Sequence, residues 1–261
     1  MQCNTTCDGS LMGNGIEARS FKIPTFQLAV PIRHRQESVQ EYAAEEVVNA
    51  IHFIEEQTGE KFDWNAFFKS MKRFNAETEE FLEWMEISKT DYPQVMGVTL
   101  ALYRYGVYQA AGGRNQAFLD MDKKLTKMAL DAYKSKEMAA KEYRHRAMTW
   151  GVQAAYYTAL PIWLLNCWGV VTIADMLSMV STEMVNTEDK HQAMLDLAYL
   201  YENMIMRNRS NGGYETGVEA LWRFCEMFNI DIVIMYVHMG CKSMSGYHGL
   251  FEEEARKHGI H

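Results

Sequence analysis

Hydrophobic periodicity divides the chain into a helical first half and a second half that alternates strand with helix. From about residue 36 to 57, Val39, Tyr42, Ala43, Val47, Ala50, Ile51 and Ile54 recur three or four positions apart, which predicts an amphipathic helix. Thr58-Gly59 stops it. Asp63 then stands as the N-cap of a long helix carrying Phe67, Phe68, Met71, Phe74, Phe81, Leu82 and Trp84. Pro93 interrupts, helix resumes through Tyr108, Gly112-Gly113 make a turn, and a further helix is predicted over 116–142. After Arg146 the rhythm changes. Ala147 to Val152, Val170 to Ile173 and Asp231 to Val237 read as buried strands rich in apolar residues, separated by helices to about Cys167, over 190–207 and over 217–228. A last helix is expected around Leu250 to His258. Strand, helix, strand, helix, strand predicts an α/β, doubly wound arrangement for 147–261, with 36–146 as a helical segment. Before it, Phe26 to Val30 between Pro24 and Pro31 reads as a short strand, and Asp8-Gly9 and Gly13-Asn14-Gly15 read as turns.

Composition narrows the class. The 261 residues are 48% hydrophobic and 23% charged, as in an ordinary globular protein. A net charge of -8 argues against nucleic acid as a partner. The short basic clusters Arg33-His34-Arg35 and Arg144-His145-Arg146 read as solvated helix ends or strand flanks. The 12 Phe, 14 Tyr and 19 Met read as core packing. The longest weakly charged stretch, Thr158 to Ala174, is interrupted by Pro161, Asn166 and Gly169 and reads as a buried helix and strand, not a membrane span. Five cysteines without a disulfide spacing, and no signal peptide, point to a reducing, cytoplasmic setting.

The most informative stretch is Asp231 to Lys242. An apolar run ends abruptly at Cys241, as a parallel strand does when it delivers a side chain to its carboxyl edge, where open α/β sheets bind ligands. Cys7, in Cys3-Asn-Thr-Thr-Cys7-Asp8-Gly9-Ser10, shares the same small, polar surroundings. Two such thiolates can hold a soft metal centre between them. Cys167 and Cys225, flanked by large apolar groups, read as small buried hydrophobes. Gly13-Asn14-Gly15 is too short for a dinucleotide fingerprint, and neither a phosphate-binding Gly-Lys-Ser/Thr loop nor a Gly-x-Ser-x-Gly or His-Glu-x-x-His motif occurs. Tyr247 and His248 follow Cys241 closely and are candidates to line a pocket, although packing serves them as well.

Thr5-Thr6-Cys7-Asp8-Gly9-Ser10, the proline-bracketed segment, the helical middle, Met239-Gly240-Cys241-Lys242-Ser243 and Phe251 to Ile260 together resemble the 2-hydroxyacyl-CoA dehydratases, a family that includes the benzoyl-CoA reductase subunits. Within that family the chain is most similar to a subunit of the lactoyl-CoA or 2-hydroxyglutaryl-CoA type. The resemblance implies two Rossmann-like α/β domains joined by a helical segment, with 1–35 as the end of the first and 147–261 as the second. It implies a [4Fe-4S] cluster held by three cysteines, with one iron left open. Cys7 matches the second of those cysteines and Cys241 the third; the first is expected upstream, because Cys3 stands too close to Cys7. On this resemblance the chain is expected to be a fragment of a longer subunit, cut before its last strand and inactive by itself.

The chemistry implied is a radical elimination of water, a hydro-lyase reaction. One low-potential electron placed in the thioester carbonyl gives a ketyl radical anion that expels the neighbouring hydroxyl. The β-proton, now far more acidic, is lost, and the electron returns, so that an enoyl-CoA is formed without net oxidation. Cys7 and Cys241 are then cluster ligands, not nucleophiles. The implied partners are a sister dehydratase subunit, an ATP-dependent iron–sulfur activator and the acyl-CoA substrate. A flavin occurs in some relatives, and no residue here marks a site for one. An ATP-driven aryl-CoA reductase subunit, a non-catalytic structural subunit and a plain α/β binding module are the alternatives.

Overall fold

A computed structural model of the chain describes residues 8–29, 37–94, 115–138, 142–151, 159–176, 183–203 and 214–261. Helices α1 (Asp8–Phe21), α2 (Glu37–Thr58), α3 (Trp64–Lys89) and α4 (Gln116–Lys134) lead to strand β1 (His145–Gly151). A short helix, α5 (Leu160–Trp163), runs into a π-helical turn, Leu164–Trp168, and then strand β2 (Val170–Asp175). Helices α6 (Lys190–Glu202) and α7 (Tyr214–Met227), strand β3 (Ile232–Tyr236) and helix α8 (Lys242–His258) complete the order. The strands form one parallel sheet in the order β2-β1-β3. The α/β class expected from the alternation is therefore observed.

Local chemistry accounts for most helix ends. The Asp63 carboxylate accepts from the N–H groups of Asn65 and Ala66 at 2.9 and 3.0 Å and starts α3. Gly59, at φ +74°, closes α2, its N–H donating to Glu55 O at 2.8 Å. Asn115 caps α4, accepting from Ala117 N–H at 2.9 Å. That helix stops at Lys134, well short of 142. Lys136 takes a left-handed φ of +56°, Glu137 N–H turns back to Ala132 O, and the Gln94 amide donates to Glu137 O at 2.6 Å.

Two further expectations are corrected near the start. Residues 8–21 are helix rather than turns. The cost of glycine in a helix, about 1 kcal/mol per position, is small enough for the neighbouring residues to carry. Phe26 to Ala29 form no strand. Their apolar groups are spent on α2 instead: Phe26 packs on Phe53 with ring centroids 5.5 Å apart, Leu28 is buried, and Ala29 N–H donates to Glu46 at 3.3 Å. The helix predicted to resume after Pro93, the Gly112-Gly113 turn and the Arg33-His34-Arg35 cluster lie outside the described residues.

Three cores result. Ala43, Ala44, Val47, Val48 and Ile51 of α2 and Phe67, Phe68, Met71 and Phe74 of α3 enclose Ala193, Met194 and Ala198 of α6. Asn75 locks the approach to α6, donating to Val185 O at 2.8 Å and accepting from Val185 N–H at 2.9 Å. Trp84 and Ile87 of α3 meet Leu125, Ala129 and Leu130 of α4. The largest core joins one face of the sheet, through Met148, Trp150, Val171 and Ile173, to Leu221, Phe224, Cys225 and Phe228 and to Met244 and Phe251 of α8.

Arg146 was expected at a solvated strand flank and is instead buried in β1. Its guanidinium donates to Phe228 O at 2.8 Å, Thr90 O at 2.9 Å and Ser88 O at 2.7 Å, and to the Tyr143 hydroxyl at 3.1 Å. These carbonyls belong to the C-terminal ends of α3 and α7, where orphan acceptors and the negative helix pole welcome a cation. A planar fork with five donors can serve several of them at once, which an ammonium cannot. One side chain thereby ties the helical half to the sheet.

Candidate active site

With β1 in the middle, the chain leaves it toward β2 on one side and later crosses to β3 on the other. Beyond β3, helix α8 returns the chain to the outer edge of that strand, where His261 N–H donates to Asp231 O at 3.0 Å and His261 O accepts from Val233 N–H at 2.8 Å. The connections after β1 and β3 thus diverge, and the carboxyl ends of these two strands form the switch point at which open α/β sheets take ligands. Gly151 ends β1 there, paired with Tyr236. Its φ is +106°, and a Cβ would stand 2.2 Å from Tyr236 O, so the position accepts glycine alone.

Cys241 stands just beyond, five residues after Tyr236. A tight turn sets it: Cys241 N–H donates to His238 O at 2.8 Å, and Gly240 N–H donates to His238 Nδ1 at 3.0 Å. The imidazole Nδ1 thus serves as a side-chain acceptor that tightens the turn. Ser245 N–H donates to Cys241 O at 3.0 Å, which makes Cys241 the N-cap of α8. The thiol itself makes no capping hydrogen bond and is half-buried. The sequence reading left Cys241 in a loop and began the helix near Leu250, because Gly246 and Gly249 weaken the helical signal. In the fold, Cys241 occupies a helix N-terminus, whose unpaired N–H groups and positive pole favour a negative ligand set.

The other expected residues separate. Cys7 lies outside the described residues, and α1 begins at the next residue, Asp8. Tyr247 faces the main core, edge-on to Phe251 at 6.2 Å. His248 points outward on α8, its Nε2 4.0 Å from Glu252 one turn on. Cys225 is buried as expected, and burial followed by the nearby Glu226 charge pushes its thiol up to about 12. Cys167 is exposed, contrary to expectation. It sits in the π-helical turn, whose extra residue rotates the apolar face, and the flanking Trp163 and Trp168 are themselves half-exposed.

The sequence reading missed the polar residues of the sheet. Thr149, Thr172 and Asp175 are fully buried. Pairing of Ala147 with Thr172 and Ile232, of Thr149 with Asp175 and Ile234, and of Gly151 with Tyr236 puts Thr149, Thr172, Asp175 and Tyr236 on one face. The signal was available: Val170-Val-Thr-Ile-Ala-Asp175 ends an apolar run on an acid, just as β3 leads to Cys241.

The family described as 2-hydroxyglutaryl-CoA dehydratase, D-component, matches residues 1–261. The chain belongs to this family. A comparison with curated proteins returns no match. Membership makes the chain a component of a dehydratase, with a partner component and an acyl-CoA substrate. Among the described residues no helix is long and apolar enough to cross a membrane. Iron–sulfur clusters are held by thiolates. Cys241 fits that role in exposure, in its uncommitted sulfur and in its helix N-terminus. No group of three or more His, Cys, Asp or Glu side chains comes together among the described residues. Further ligands of a cluster would therefore come from beyond them, Cys7 foremost.

Proposed function

We propose that this dehydratase component binds a [4Fe-4S] cluster through Cys7 and Cys241 and takes part in radical dehydration of a 2-hydroxyacyl-CoA to an enoyl-CoA. The observation that carries the reading is Cys241 itself, a half-buried thiol at a helix N-terminus on the switch point of the sheet, in a chain that matches the D-component family throughout. When bound, the cluster would supply low-potential electron transfer and a Lewis-acidic iron. The chain's own residues hold and orient. Cys241 Sγ gives one thiolate, the first-turn N–H groups of α8 lie beside it, and the His238 turn fixes its position. In the reaction the C2–O bond breaks, a β-proton leaves, water is released and the borrowed electron is returned. That electron comes from an ATP-dependent iron–sulfur activator, and the reaction runs in the cytoplasm.

The test is anaerobic reconstitution of the full chain with iron and sulfide. Visible charge-transfer absorption should be lost in Cys7→Ala and Cys241→Ala and kept in Cys167→Ala and Cys225→Ala. Absorption untouched by Cys241→Ala overturns the ligand assignment. With partner component and activator added, formation of enoyl-CoA supports dehydration, whereas reduction of an aryl-CoA ring would move the chain to the reductase branch.

A further inference from the structure

Two backbone donors lie directly ahead of α8, and His238 takes both. Gly240 N–H donates to its Nδ1 at 3.0 Å, and Cys241 N–H donates to its carbonyl at 2.8 Å. Ser245 Oγ, on α8, adds a longer bond to the same carbonyl at 3.4 Å. The ring packs directly on the turn, for a Cβ at Gly240 would stand 3.2 Å from both Nδ1 and Cε1 of His238. A side chain that accepts from the N–H two residues on makes an Asx-type turn, ordinarily the work of Asn or Asp. Here an imidazole makes it, on a loop whose tip, Met239, is 97% exposed. The N–H it captures belongs to the residue just before Cys241. An N–H released beside a thiolate turns to the sulfur, and hydrogen bonds to sulfur raise the potential of an iron–sulfur centre by stabilising the added electron.

We propose, resting on the cluster reading, that the His238 imidazole is a positioning residue for Cys241 that holds the Gly240 N–H away from the sulfur and so keeps the cluster at low potential. The dehydration needs such a potential, because the electron has to enter a thioester carbonyl. An Asn side chain carries an acceptor on the same branch and reaches the same N–H; an Ala side chain carries none.

The experiment is anaerobic redox titration of the reconstituted full chain, followed by the electron paramagnetic resonance of the reduced cluster, in wild type, His238→Ala and His238→Asn. One N–H bond gained by a charged sulfur favours the reduced cluster about tenfold in His238→Ala, an upward shift of about 59 mV for one electron. His238→Asn should keep the wild-type potential. A readout without the cluster accompanies it: in the apo chain the Gly240 amide should exchange with solvent severalfold faster in His238→Ala than in wild type or His238→Asn. His238 is exposed, so neither substitution opens the core. A wild-type chain that takes up no cluster overturns the ligand assignment and this inference with it. A chain that takes up the cluster, with a potential that ignores His238→Ala or moves equally in both variants, overturns this inference alone, as does Gly240 exchange that is the same in all three.

Discussion

The two faces of the three-stranded sheet differ in a way that buried parallel strands ordinarily do not. One face presents Met148, Trp150, Val171, Ile173, Val233 and Met235 to α7 and α8, a closed apolar contact. The other sets Thr149, Thr172, Asp175 and Tyr236 among Ala147, Ile232 and Ile234. Both are shielded from solvent at the centre, for Trp150 and Thr172 are each 0% exposed. Sheets of this class are covered on both sides and read as almost continuous hydrophobic runs. A polar set on one side departs from that rule, and such departures gather at functional sites. The first face builds the main core, and the second carries buried polar groups toward the carboxyl edge.

Trp150→Ala should break the comparison hardest on the packed side, costing about 3–5 kcal/mol by cavity formation, measured by urea unfolding. A loss under about 1 kcal/mol would mean that this face is not the core. Gly151→Ala comes next. Its Cβ meets Tyr236 O at 2.2 Å and its φ is +106°, so the backbone must shift at a cost of about 1–3 kcal/mol, visible as a lower melting temperature. An unchanged melting temperature would contradict the close approach of β1 and β3 at Gly151.

Cys225 sharpens the contrast through pH. Its thiol lies among the apolar side chains and rises from an ordinary 9.0 to about 12. A raised acid binds its proton more tightly when folded, so its stabilisation is complete below pH 9 and is lost as pH climbs from about 9 toward 12. Tyr236, also raised, adds the same sign. Unfolding free energy should fall over that range, and less steeply in Cys225→Ala; parallel curves would refute the assignment. The smallest effect is expected of Thr149→Val, within about 1 kcal/mol of the wild type and on the favourable side if anything, because an unmatched hydroxyl is removed. A clear destabilisation would show that the hydroxyl already has a partner.

Much of this was legible along the chain. Helices α2 and α3, with the Asp63 cap and the Gly59 stop, follow from apolar spacing and short-range hydrogen bonding, and both persist in the fold. The three strands were found for the same reason, as compact apolar runs. Helix α1 was hidden by glycines, and α8 was recognised only from Leu250 because Gly246 and Gly249 weaken its first turns. Phe26 to Ala29 read as a strand because alternation alone does not reveal whether a neighbouring strand exists to pair with. Arg146 and Cys167 were misjudged because their burial depends on groups far away in sequence: carbonyls of two helix ends for the first, a rotated π-helical turn for the second.

Sequence alone determined the α/β class, the helical first half and Cys241 as the residue delivered by the last strand, since these rest on local periodicity and on where an apolar run ends. Tertiary structure decided the order β2-β1-β3, the helix N-terminus beneath Cys241 and the gathering of Thr149, Asp175 and Tyr236 around Gly151. The reason is register. Which side chains share a sheet face depends on how strands far apart in the chain are paired, and no single strand carries that information.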